Sequence, residues 1–131
     1  MAYMIWIKRV GLILLIICMG TAIDYAVHQT DARFSVPFVY FPHKIFYGVL
    51  WSFLGYLVFR KKIQTHFSLA IVISASPAII LQAMYFIQHH LLVWVTVFFL
   101  LLHFLMFLLP AYFICKKYMG LFVSPLPAPK V

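Results

Sequence analysis

Four long apolar runs constrain this chain more than any other feature of its sequence. They cover approximately residues 4–27, 42–59, 67–88 and 91–115. A helix that crosses the hydrocarbon core of a bilayer needs about 20 residues, because each residue adds 1.5 Å. The first, third and fourth runs reach that length outright. The second reaches it if the flanking Lys44 and Arg60 extend to the interfaces. The pattern predicts an all-α, polytopic membrane protein with four transmembrane helices.

The composition supports the bilayer as the solvent and lipid as the main partner. Hydrophobic residues make up 66% of the 131 residues and charged residues 9%, whereas a soluble domain carries about 25% charged residues. The length fits a single domain, residues 1–122, followed by a Pro-rich flexible tail at 123–131. The net charge of +8 does not indicate nucleic acid, because the cations form short clusters between apolar runs.

The connections predict the topology. Only "QHH" separates the third and fourth runs, so these helices should form an antiparallel hairpin within an antiparallel bundle. Four spans put Arg33 and Lys44 on one side. The other side then holds eight cations: Lys8, Arg9, Arg60, Lys61, Lys62, Lys116, Lys117 and Lys130. Positive charge accumulates on the cytoplasmic side, so both termini should be cytoplasmic. We take the membrane to be a prokaryotic plasma membrane.

Both side-chain carboxylates of the chain fall within "TAIDYAVHQTD" (residues 21–31). Asp24 and His28 are four residues apart, so they share one face of the first helix, and Asp31 follows the helix end. In the predicted bundle three more histidines reach the same non-cytoplasmic level. Imidazole and carboxylate groups bind transition metals. A metal site at this outer face would use Asp24, His28, His43, His89 and His90.

Two further interpretations of this outer-face cluster stay open. Polar side chains gather at helix ends because water begins there, and we favour this interfacial interpretation. Alternatively, Asp24 orients His28 as a general base, or the pair responds to pH. The cofactor is therefore unknown, and a divalent transition metal is possible without being favoured. No catalytic residue is assigned.

Small residues predict where helices approach closely. Gly48, Ser52 and Gly55 share one face of the second helix. A second stripe in the third helix consists of Ala70, Ser74 and Ala78. Pro77 should kink that helix or loosen a turn.

His103 is expected to lie alone in mid-membrane, where a polar group needs a partner. It should face inward as a helix-packing residue. Its depth-matched partners are Cys18, Ser52, Ser74 and Ser76.

The function expected from these features is that of a non-catalytic assembly or accessory subunit, within a homo-oligomer or a larger membrane complex. Cys18 and Cys115 form no Cys-x-x-Cys motif and fit an apolar core. One alternative is a metal- or cofactor-binding membrane protein, with or without enzymatic activity, that has its site at the outer face. A second alternative is a small oligomeric transporter, since four helices rarely enclose a pathway alone.

Overall fold

The computed structural model describes residues 2–123, without the side chains of Ala2 and Phe34. Its regular secondary structure consists of four α-helices and one short 3₁₀ helix, Ala32–Phe34. The α-helices are α1 (Ala2–His28), α2 (Tyr40–Phe59), α3 (His66–His89) and α4 (Val93–Phe122). The prediction of an all-α chain with four helices is confirmed for these residues. The predicted tail lies outside them except for Val123.

Three of the helices, α1, α3 and α4, are long and apolar enough to cross a membrane by length and composition. Helix α2 is not in this set. It has 20 residues, and its first two turns contain His43 and Lys44, which reduce its apolar length.

The helices pack in a ring in which α1 contacts α2, α2 contacts α3, α3 contacts α4 and α4 contacts α1. The interior is apolar and includes Ile13, Ile16, Ile17, Leu69, Ile73 and Phe107. The exterior is apolar as well. On α4, Leu101, Leu105 and Leu109 form a stripe in which each residue is 57% exposed. The outer surface of this helix is therefore apolar.

Helix α3 passes through Pro77 without leaving the affected backbone carbonyl unpaired. Proline lacks the N–H that would bond the carbonyl four residues earlier, which belongs to Ile73. The Ser52 hydroxyl of α2 donates to this carbonyl at 2.8 Å. A proline in one helix therefore creates an acceptor for a hydrogen bond from the next helix.

The small-residue stripes lie between helices. A Cβ at Gly48 would meet Ile17 of α1, and a Cβ at Gly55 would collide with Ser76 of α3. The residues of the α3 stripe, Ala70, Ser74 and Ala78, are buried. Both stripes therefore permit close approach of neighbouring helices.

Helix α4 extends beyond the end expected at residue 115. Tyr118 has non-helical torsions (φ −117°, ψ 20°), and the helix continues after it to Phe122. The Tyr56 hydroxyl of α2 donates to the Phe122 carbonyl at 2.7 Å, and both atoms are buried. This bond connects the end of α4 to α2.

Candidate functional site

A buried ion pair joins α1 to α2. Asp24 and Lys44 are 2% and 4% exposed, and Lys44 Nζ donates to Asp24 Oδ2 at 2.5 Å. Removing two charges from water is unfavourable by several kcal/mol per ion, so such pairs persist only with close geometry and further polar partners. The pair therefore places two charged groups within a mostly apolar helix bundle.

Two imidazoles approach the other oxygen of the same carboxylate. His28 follows Asp24 by one helical turn, and its Nε2 lies 3.6 Å from Asp24 Oδ1. His103 of α4 brings its Nε2 to 3.1 Å from that oxygen. The three atoms lie within 4.8 Å of one another. Three helices thus contribute to one cluster, which we call the Asp24 cluster: Asp24, His28, Lys44 and His103.

Two buried atoms of this cluster lie within ion-pair distance of each other but make no well-aligned hydrogen bond to any described residue. They are Asp24 Oδ1 and His103 Nε2, which face each other at 3.1 Å. Buried polar atoms almost always have a partner, and exceptions call for an explanation such as a bound ion. Buried side-chain atoms without a hydrogen bond to a described residue also occur at Thr21, Trp51 and Ser74. What distinguishes the Asp24–His103 pair is that two such atoms lie 3.1 Å apart, with His28 Nε2 3.6 Å from the same carboxylate oxygen.

A glycine allows α4 to approach α1 at this level. Gly20 lies one turn before Asp24, and Phe107 lies one turn after His103. A Cβ at Gly20 would collide with the Phe107 ring. Without that Cβ the ring packs directly on the α1 backbone, which lets His103 reach Asp24.

The structure brings together only two residues of the predicted outer-face cluster, Asp24 and His28. Among the described residues, His43, His89 and His90 do not belong to the group whose ligand atoms converge. His43 contacts the Tyr47 ring, and His89 stacks on Tyr85 at 5.8 Å. His90 directly follows α3 and has a left-handed φ of 48°.

The physical reason is that the helix ends do not meet at one level. At 1.5 Å per residue, Asp24 lies about 6 Å before the end of α1, whereas His103 lies about 15 Å beyond the start of α4. The two residues are nevertheless in contact. The connection between α3 and α4, with His89 and His90, is therefore displaced along the helix axes from the Asp24 cluster.

Two members of the Asp24 cluster, His103 and Lys44, have different surroundings from those that the sequence predicts. His103 was expected to bond to Cys18, Ser52, Ser74 or Ser76, and it lies against Asp24 instead. Lys44 was expected to extend to the interface, and it is buried. One signal in the sequence could have suggested the pairing. The chain has only two acidic side chains, Asp24 and Asp31, so a lysine such as Lys44 within an apolar, aromatic segment has few possible ion-pair partners.

A cavity of about 540 Å³ lies beside the Asp24 cluster. Lys44 belongs to both, and Tyr40, His43, Tyr47 and Tyr85 also line the cavity. The Lys44 ammonium lies 5.4 Å from the centre of the Tyr40 ring, a favourable cation–π distance. The cavity therefore provides space next to the ion pair.

The second carboxylate has a separate, local role. Asp31 caps the 3₁₀ helix by accepting from the Arg33 backbone N–H, and its side chain also pairs with the Arg33 guanidinium at 2.6 Å. The bonds from the Arg33 side chain, and then from its backbone, lower the pKa of Asp31 below its ordinary value of 3.8. Asp31 is thus not part of the Asp24 cluster.

Comparison of the chain with protein-family models, with curated proteins and with solved structures gave no match.

Proposed function

We propose that this chain is a multi-pass membrane protein that binds a transition-metal ion through Asp24, His28 and His103. The membrane part of the proposal rests on the three long apolar helices and on the outward leucine stripe of α4. Helix α2 would be the fourth span of an antiparallel bundle. Eight cations against two favour cytoplasmic termini.

One observation carries the metal part of the proposal. Two buried potential ligand atoms, Asp24 Oδ1 and His103 Nε2, lie 3.1 Å apart without a well-aligned hydrogen bond to any described residue, and His28 Nε2 lies 3.6 Å from the same oxygen. Zinc binds nitrogen and oxygen ligands at about 2.0–2.1 Å, which separates neighbouring tetrahedral ligands by about 3.4 Å. The distances of 3.1 and 3.6 Å from Asp24 Oδ1 to the imidazole nitrogens lie on either side of that value.

Lys44 would act on the metal through the carboxylate. It binds Oδ2 and so leaves Oδ1 for the ion, as groups behind a ligand commonly fix its orientation. Its positive charge opposes a second cation by Coulomb repulsion. The site therefore fits an ion that binds imidazole strongly, such as Zn²⁺ or Cu²⁺, better than Mg²⁺ or Ca²⁺, which prefer oxygen ligands. Three protein ligands leave a fourth position open.

The test is elemental analysis of the full chain purified in detergent without chelators. We expect about one transition-metal ion per chain, lost in His28→Ala and His103→Ala. His89→Ala is the matched control, because this histidine lies outside the converging group, and it should retain the metal. A wild-type protein that stays metal-free after incubation with Zn²⁺ and Cu²⁺ would exclude the site. Equal loss in the His89 variant would also contradict it.

The Asp24 cluster favours the metal-binding alternative over the two other functions expected from the sequence. A non-catalytic accessory subunit and an oligomeric transporter stay predictions. Pull-down after gentle solubilisation tests the accessory-subunit prediction, because an accessory subunit should be recovered with a stoichiometric partner. Reconstituted vesicles distinguish the second, since a transporter gives a flux that increases with the amount of protein.

A further inference from the structure

A second cavity, of about 620 Å³, has a cationic lining. Arg9, Arg60 and Lys61 contribute to it, together with Tyr56 and Gln64. These residues come from the first turns of α1, the end of α2 and the connection to α3. The Asp24 cluster lies near the opposite ends of α1 and α2. We call this second cavity the basic cavity.

Arg9 is fixed in position within the basic cavity. Its Nε donates to the Leu121 carbonyl at 2.6 Å. Its guanidinium lies 4.6 Å from the centre of the Trp6 ring and 5.7 Å from that of Tyr56. Stacking and one hydrogen bond orient the planar group, and within residues 2–123 that bond uses Nε and not the terminal amino groups. An oriented guanidinium loses less entropy on binding than a free one.

The cations of the basic cavity have no side-chain carboxylate to pair with. The whole chain has two such carboxylates. Asp24 is bound to Lys44 and Asp31 to Arg33. No acidic side chain of the chain is therefore left to neutralise Arg9, Arg60 and Lys61, so their counter-ion is a different group.

We infer that the basic cavity binds a phosphate group, either in the headgroup of an anionic lipid or as free phosphate. Guanidinium groups bind phosphate oxygens through paired, charge-assisted hydrogen bonds, and basic cavities between membrane helices accept anionic headgroups. The carbonyls at the C-terminal ends of α2 and α4 carry partial negative charge. Three full positive charges at the same cavity outweigh them. The inference is independent of the metal site.

The experiment measures thermal stability of the full chain in detergent during titration with three probes. These are short-chain phosphatidylglycerol, short-chain phosphatidylcholine and inorganic phosphate. We expect phosphatidylglycerol to stabilise the protein more than phosphatidylcholine, because the choline of the latter neutralises its own phosphate. Stabilisation by inorganic phosphate to the same extent also supports the site and identifies free phosphate as the source. No stabilisation by either anionic probe overturns the inference.

Two variants locate the effect. Arg9→Gln with Arg60→Gln should weaken the response to the anionic probe by about tenfold or more, since hydrogen bonds to charged groups are the stronger ones. Lys116→Gln with Lys117→Gln removes the same charge from side chains that lie over Tyr112 and Tyr118 instead. This control should respond like the wild type. An equal loss in both double variants would overturn the inference, because it would indicate a general surface-charge effect.

A third variant keeps Arg9, because substitution of Arg9 removes its bond to the Leu121 carbonyl and can disturb the fold. Arg60 and Lys61 are exposed, so Arg60→Gln with Lys61→Gln should leave the fold intact. It should still weaken the response by about tenfold. An unchanged response in a folded protein would overturn the inference.

Discussion

The two polar regions of this molecule use charge in opposite ways. In the Asp24 cluster one carboxylate serves a lysine and two imidazoles, and the residues are buried or half-buried. In the basic cavity three cations share no side-chain carboxylate. The first region is neutralised from within the chain, and the second depends on its surroundings. The net charge of +8 is therefore not spread evenly, because the two acids neutralise cations at one end of the helices only.

Breaking the buried ion pair should have the largest effect on stability. Lys44→Met leaves the Asp24 carboxylate buried without its cation, which should lower the free energy of unfolding by about 3–5 kcal/mol. Asp24→Asn combined with Lys44→Met should lose less than Lys44→Met alone, because no unpaired charge remains. Unfolding in mixed micelles measures both.

Lys62→Met is the matched control for this prediction. Lys62 is exposed, so its loss should change the free energy of unfolding by about 0.5 kcal/mol or less. If Lys62→Met were as destabilising as Lys44→Met, the contrast between buried and exposed lysines would not hold.

Removing the proposed metal should have the next largest effect. A ligand present at 100 times its dissociation constant stabilises a protein by about 2.7 kcal/mol. A chelator should therefore lower the melting temperature of the wild type and leave that of His103→Ala unchanged. Calorimetry with and without the chelator gives the comparison. An identical shift in both proteins would show that the chelator acts elsewhere.

Glycine substitutions extend the comparison along α1. Gly20→Ala places a Cβ against Phe107 and should destabilise the protein by about 1–3 kcal/mol through overpacking. It should also weaken metal binding, because His103 moves with α4. Gly11→Ala meets nothing within 4 Å and should stabilise the helix by about 0.5–1 kcal/mol. Melting temperatures of the two variants should therefore move in opposite directions.

The smallest effect on stability is expected for the exposed ion pair between Asp31 and Arg33. Because the pKa of Asp31 is lowered by Arg33, the pair stabilises its turn fully above the ordinary pKa of 3.8. That contribution is lost as the pH falls through the lowered value. Arg33→Gln should raise the pKa of Asp31 toward 3.8, which a nuclear magnetic resonance titration of the carboxyl carbon measures. A pKa that does not move would assign the shift to the backbone cap alone.

Residue spacing within one helix predicted some features of the structure and could not predict others. The apolar runs predicted an all-helical chain with four helices because the period and length of a helix are encoded over neighbouring residues. The i, i+4 spacing placed Asp24 beside His28 for the same reason. The contact of His103 with Asp24 depends on the relative axial shift of α1 and α4. Contacts between the two helices, such as the packing of Phe107 on Gly20, accompany that shift, and no spacing within one helix encodes them.

The position of Lys44 illustrates the same limit. A lysine near a helix end extends to water when its stem lies on the outer surface. The rotation of α2 turns Lys44 inward, toward Asp24, and places the same helix's Ser52 against α3. Rotation about the helix axis follows from both neighbouring helices together, so the sequence of α2 alone could not distinguish the two orientations.

The hydrogen bond from the Ser52 hydroxyl to the Ile73 carbonyl restricts which substitutions positions 52 and 77 can accept during evolution. Its acceptor is free only because Pro77 supplies no N–H, and the Ser52 hydroxyl is buried with that carbonyl as its partner. Pro77→Ala would return the carbonyl to its own helix and compete with Ser52. Positions 52 and 77, on different helices, should therefore change together among homologous chains, with serine or another small donor retained wherever the proline is retained.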